Sequence, residues 1–102
     1  MAGAQIILIV LYCADVSACR DFYRSLGLAF ERERHGSGPE HYAAALSGGA
    51  VLELYPAGSR GETGMIRLGL TVSQGEVGLF LEPGDHILHD PEGRVVDIHV
   101  AS

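Results

Sequence analysis

No lysine occurs in this chain. All seven of its positively charged residues are arginine, against thirteen Asp and Glu, for a net charge of −6. A nucleic-acid-binding surface needs a basic face that displaces counterions from phosphate, so the charge argues against that class of partner. Cysteine is scarce as well: Cys13 and Cys19 are the only two. They read as buried thiols in a reducing compartment rather than a disulfide, because nothing marks the chain as secreted. Long hydrophobic runs are missing too. The apolar stretch from Ile6 to Ala14 is far short of the ~20 residues of a membrane span. With no basic residue before it, it is not a signal-peptide core either. A soluble, cytoplasmic protein with no membrane partner is expected. The chain also lacks a phosphate-cradling glycine loop, a nucleophile–base arrangement and a set of metal-spaced cysteines.

What is present fits one domain of 102 residues, 47% apolar, with fourteen glycines. That is enough for a single core, built from short strands and tight turns. The organising stretch runs from Asp15 to Leu28. Asp15 is a natural N-cap. Val16, Cys19, Phe22, Tyr23 and Leu26 recur at helical steps. Gly27 supplies a left-handed C′ position, and Leu28 can fold back on the last turn. A β-branched run, Ile6 to Tyr12, predicts a buried strand before this helix. Strands are predicted after it at Leu28–Arg34, Glu40–Leu46 and Ala50–Tyr55, the last two joined at Ser47-Gly48-Gly49. Beyond a linker from Pro56 to Gly64, strands are predicted at Met65–Val72, Val77–Leu81, His86–His89 and Arg94–Val100. Asp90-Pro91-Glu92-Gly93 marks a turn. Only Ser73 to Glu76 stands where a second helix would fall, too few residues to hold one.

A capped helix ending in Phe22-Tyr23-x-x-Leu26-Gly27-Leu28, directly after a buried strand, resembles the opening of a glyoxalase-type module. Such modules build the vicinal oxygen chelate superfamily, which includes glyoxalase I, extradiol dioxygenases and bleomycin-resistance proteins. The hairpin Asp90-Pro91-Glu92-Gly93 and the strand through Asp97-Ile98 resemble the end of the same proteins, so the likeness spans nearly the whole chain. It implies an α+β fold in which paired βαβββ modules form a cup-shaped mixed sheet, the second module lacking its helix. Residues 1–102 would then be a single glyoxalase-like domain. Module one covers about 5–56, the linker about 56–64 and the truncated module two about 65–102.

Family enzymes hold a divalent metal with four side chains lining the cup. The resemblance carries those positions onto Leu8, Glu53, Arg67 and Asp97. Leucine has no donor atom, and arginine stays protonated with no lone pair to give. Two carboxylates alone suit a transition metal poorly, so neither a metal nor another cofactor is expected there. Glu53, Arg67 and Asp97 would instead converge in the cup. They would form either an internal ion-pair set or a pocket whose arginine receives an acidic or carbonyl-bearing ligand. Tyr55 and His99 complete the expected ligand-binding set, and Tyr12, Tyr42 and Tyr55 either line the cup or belong to the core. His35 and His41 are expected to be exposed. If His89 lies opposite Arg94, His86 faces Asp97 as a general base or as an ordinary hydrogen-bonded pair. A metal set of His86, His99, Asp97 and Glu53 would need its own register.

Three functions follow. The missing metal ligands favour a metal-free protein that sequesters an apolar or aromatic small molecule, as bleomycin-resistance relatives do. The alternatives are a metal-dependent lyase, isomerase or dioxygenase, and a vestigial dimerisation or interaction module. With the second helix absent, Leu68, Leu70, Val72, Val96 and Ile98 would form an uncovered apolar face. A homodimer is expected to bury it.

Overall fold

The computed structural model describes residues 3–78 and 81–102. Eight elements carry the fold: β1 (Leu8–Cys13), α1 (Val16–Ser25), β2 (Phe30–Glu33), β3 (His41–Ala45), β4 (Val51–Pro56), β5 (Arg67–Ser73), β6 (Gly84–His89) and β7 (Val95–Ala101). They form two sheets, ordered β1-β4-β3-β2 and β5-β7-β6. In each sheet the first strand pairs in parallel with the last, and the rest is antiparallel. Among the described residues the second sheet thus repeats the first with one strand fewer and no helix; the missing helix is as expected from the sequence, the missing strand is not. The expected strand Val77–Leu81 includes residues 79 and 80, which lie outside the described residues; Val77, Gly78 and Leu81 are not in a strand. Several strands start later than their apolar runs. Ile6 and Ile7 precede the stretch of β1 that pairs with β4, and both stay exposed. Among the described residues no helix is long and apolar enough to cross a membrane.

Helix α1 starts and stops where its sequence dictates. An Asp15 carboxylate oxygen accepts from the Ala18 N–H at 3.0 Å. Gly27 takes φ 101°, and its N–H and that of Leu28 reach back to the carbonyls of Arg24 and Tyr23. A side chain at Gly27 would also press on Glu76, whose carbonyl oxygen lies 3.2 Å from where a Cβ would stand. Glycine therefore serves twice, as a helix stop and as the point where the two halves of the chain touch.

The second sheet corrects one expectation. Leu68, Val72, Val96 and Ile98 are buried within the single chain, and Leu70 packs against them. They share one core with Leu11, Cys19, Tyr23, Leu26, Leu52 and Leu54. The face that lacks a helix of its own packs into the core already filled by α1, so no second copy is required to cover it. Cys13 and Cys19 are free thiols in the same core.

At the centre of the junction is a charge. Arg94 is 1% exposed, and every donor of its guanidinium has a partner. Nε donates to the Thr63 carbonyl (3.1 Å), Nη2 to the Tyr12 carbonyl (2.7 Å) and to Glu92 (3.1 Å), and Nη1 to Asp90 (2.9 Å) and the Cys19 sulfur (3.8 Å). Asp90 also accepts from the Tyr23 hydroxyl and from the backbone N–H groups of Glu92 and Arg94. Glu92 accepts from the N–H groups of Ala14 and Asp15, just ahead of α1. Burial pushes the Asp90 carboxyl up, but its bonds from Arg94 and Tyr23 outweigh that and hold it below its ordinary value. Glu92 is likewise raised by burial and lowered further by the two N–H groups it caps.

Breaking a buried pair leaves an uncompensated charge, which typically costs about 3–5 kcal/mol. Asp90→Asn is expected to lower the unfolding free energy by about that much, measured by urea titration. A second expectation concerns acid. Both carboxyls titrate lower in the folded chain than in the unfolded one. Their contribution is therefore complete above about pH 5 and is lost as the pH falls through the depressed folded values. Urea midpoints should be flat from about pH 5 to 7 and fall below that range, with a shallower fall in Asp90→Asn.

Candidate functional site

Strand alternation divides every side chain between the core and an open face. In β4, Leu52 and Leu54 face the core, leaving Val51, Glu53 and Tyr55 on the open side. In β7, Val96, Ile98 and Val100 are buried, leaving Val95, Asp97 and His99 open. Arg67, Gly69 and Thr71 of β5 stand on that same open side. Glu53, Tyr55, Arg67, Asp97 and His99 therefore all reach open sheet faces. Glu53 and Tyr55 belong to one sheet and the other three to the second, and among the described residues no hydrogen bond or ion pair joins Glu53 to Arg67 or Asp97.

On the second sheet, Arg67 grips Asp97 with a two-pronged pair. Nε donates at 2.6 Å and Nη2 at 3.3 Å, and the hydrogen bonds to Asp97 raise the Arg67 pKa further. Beside it, His99 Nδ1 donates to Asp85 at 2.7 Å. Gly69, Thr71, Asp85, Ile87, Asp97 and His99 line an open cavity of about 560 Å³.

The pairing of His86 with Asp97 is not found. His86 stands opposite Ile98, on the other face, and Ile87 is the residue opposite Asp97. The turn explains the slip. Gly93, at φ 83°, donates to the Asp90 carbonyl, and Asp90 pairs with Arg94 to close the loop. His89 is thereby set against Val95 rather than Arg94. A one-residue change of register turns every side chain of a strand to the opposite face. His86 instead donates to the Glu82 carbonyl. The His–carboxylate pair that this register creates is His99 with Asp85.

On the first sheet the main departure is His41, expected at the surface but 1% exposed. Its ring stacks on Tyr55 at 4.0 Å with a 9° tilt, and Glu33 is its cross-strand partner. Tyr12 lies 5.8 Å from Tyr55 on the same open side. Tyr42 turns the other way, with Arg20 over its ring and bonded to its hydroxyl. The clue to His41 was its alternation with Tyr42 and Ala44, which becomes readable only once β3 is paired.

The four positions implied for a family metal do not fit one. Leu8 is exposed beside Val10 on β1 and offers no donor. Arg67 is a cation already bonded to Asp97, which uses the carboxylate that a metal would need.

No family model matches the chain, and no curated protein matches it in sequence. Solved structures do match in fold. TnmS3, an antibiotic binding protein from Streptomyces sp. CB03234, is 20% identical with a TM-score of 0.65, covering 100% of this chain and 99% of its own. Oxidase ChaP-H2 is 18% identical at a TM-score of 0.62, covering 99% and 96%. A possible glyoxalase from Bacillus cereus is 18% identical at 0.61, covering 95% and 99%. One fold thus carries a binding protein, an oxidase and a possible glyoxalase, so the site must decide function.

Because Leu8 and Arg67 cannot ligate, Asp97→Ala is expected to leave the divalent-metal content of the purified protein unchanged by elemental analysis. Loss of about one equivalent on that substitution would place a metal on Asp97 after all.

Proposed function

We propose, from a fold that this chain shares with the vicinal oxygen chelate superfamily, that it binds an apolar or aromatic small molecule in the manner of a sequestration protein, with no metal at the four family positions. The observation that carries this reading is the Arg67–Asp97 pair. It replaces a metal by a guanidinium and keeps a planar, exposed fork that an acidic or carbonyl group of a ligand can engage. Tyr12 and Tyr55 supply an aromatic surface on the other sheet. The TnmS3 neighbour, described as an antibiotic binding protein, resembles this chain in fold over 99% of its own length.

The two half-sites lie on separate sheets, and each leaves apolar side chains in water. Leu8 is exposed on the first open face and Ile87 on the second. A two-fold homodimer that sets the first sheet of one protomer against the second sheet of its partner closes a cup. It brings Glu53 and Tyr55 of one copy to Arg67, Asp97 and His99 of the other. The dimer in this reading covers the open faces, not the apolar face that the core has already absorbed.

The test uses 8-anilinonaphthalene-1-sulfonate, an aromatic anion, as the probe. Folded protein should enhance its fluorescence saturably. Tyr55→Ala and Arg67→Ala should each weaken binding by about fivefold, the scale of one aromatic or charge contact. Sedimentation at low micromolar concentration should give twice the chain mass of 10.8 kDa. A monomer whose probe binding ignores both substitutions would contradict the reading.

A further inference from the structure

His41 is buried, yet its Nε2 has no hydrogen-bond partner. Its other ring nitrogen, Nδ1, lies 3.2 Å from the Pro39 carbonyl. A carbonyl can only accept, so Nδ1 carries the hydrogen, and in the neutral ring Nε2 presents its lone pair. Nε2 sits 3.3 Å from a Glu33 oxygen and 3.7 Å from a Glu53 oxygen, hydrogen-bonded to neither. A lone pair facing two carboxylates is repelled unless a positive charge, a proton or a metal ion, stands between them.

We propose that Glu33, His35, His41 and Glu53 form a binding site for a divalent transition-metal ion, with Zn²⁺ as the best-matched species. His35 Nε2 lies 3.5 Å from the same Glu33 oxygen, and one donor atom from each of the four residues falls within 4.8 Å of the others. Tetrahedral zinc bonds of about 2.0–2.1 Å place neighbouring donors about 3.4 Å apart, so the shorter separations here are already those of an assembled site. Two imidazoles and two carboxylates are a donor set suited to zinc. The supporting contacts are also in place. The Pro39 carbonyl fixes the His41 tautomer, as carbonyls behind metal-bound histidines do, and the Tyr55 ring fixes its plane. The entrance is on the His35 side, where the histidine is 72% exposed in the loop between β2 and β3.

This site shares only Glu53 with the family positions. It lies on one sheet, joining β2 to β3 and β4, instead of across both sheets. The other concentration of ligating groups, Cys13, Cys19 and Glu92, is already committed. Glu92 accepts from two backbone N–H groups, and the Arg94 guanidinium occupies the space a cation would need.

Untagged, chelator-treated protein titrated with zinc chloride by calorimetry should bind one equivalent, and zinc should raise the thermal unfolding midpoint. His41→Ala removes a buried ring and is a poor test alone. Glu33→Gln and His35→Asn change exposed or half-exposed groups, and each should weaken binding at least about tenfold and reduce the zinc-induced midpoint shift. Asp97→Asn should change neither readout. Failure of the wild-type chain to bind zinc would overturn the proposal. So would binding that survives both Glu33→Gln and His35→Asn, or that disappears in Cys19→Ser instead. Probe binding at Tyr55 and Arg67 is read separately, so the two proposals can fail independently.

Discussion

A single buried guanidinium holds the two halves of this chain in register. Removing a charge from water is tolerable only when every donor finds a partner, and Arg94 achieves this by drawing on four parts of the fold at once. It reaches the end of β1 through the Tyr12 carbonyl, the linker through Thr63, α1 through Cys19, and its own hairpin through Asp90 and Glu92. None of those groups can move far without leaving a charged donor unpaired. The hairpin turn, the start of α1 and the position of the second sheet against the first are consequently one constraint.

The functional surface follows from that constraint. Because Asp90 closes the turn against Arg94, His89 meets Val95, and Asp97 and His99 fall on the open side. Because the second sheet shares the core of α1, the apolar side chains of its inner face are consumed internally, and the open faces of both sheets are left for a ligand. Where family enzymes place metal ligands, this chain places an aliphatic side chain and an arginine that pairs with Asp97. In the proposed reading, recognition rests on planar charge and aromatic surface in place of Lewis acidity. The unpaired His41 nitrogen stands with Glu33, His35 and Glu53 elsewhere, on β2, β3, β4 and the loop after β2.

Much of this was legible in the residues. Asp15 and Gly27 mark the ends of α1 because capping is local chemistry, decided by neighbours within a few residues. Alternation in Val51–Pro56 and Val95–Ala101 placed Glu53, Tyr55, Asp97 and His99 on one side of their strands. What escaped depends on contacts distant in sequence. The hairpin register turned on the closure of Asp90 against Arg94 across Gly93, which the turn motif alone leaves open, and the other choice moved His86 to the Asp97 face. Burial of His41 arises from the Tyr55 ring on the neighbouring strand β4, and the partners of Arg94 become visible only once Tyr12, Thr63 and Cys19 are brought around it. The second sheet's apolar face looked unpartnered because its cover comes from the other half of the chain.

Native-state amide hydrogen exchange tests most directly whether Arg94 makes the two sheets one unit. Amides of Leu52 and Leu54 in β4 and of Val96 and Ile98 in β7 should exchange through the same opening, with equal free energies and equal dependence on denaturant. A lower-energy opening that exposes β5, β6 and β7 while β1 and β4 stay protected would show that the second sheet is held by its own packing and not by the buried arginine.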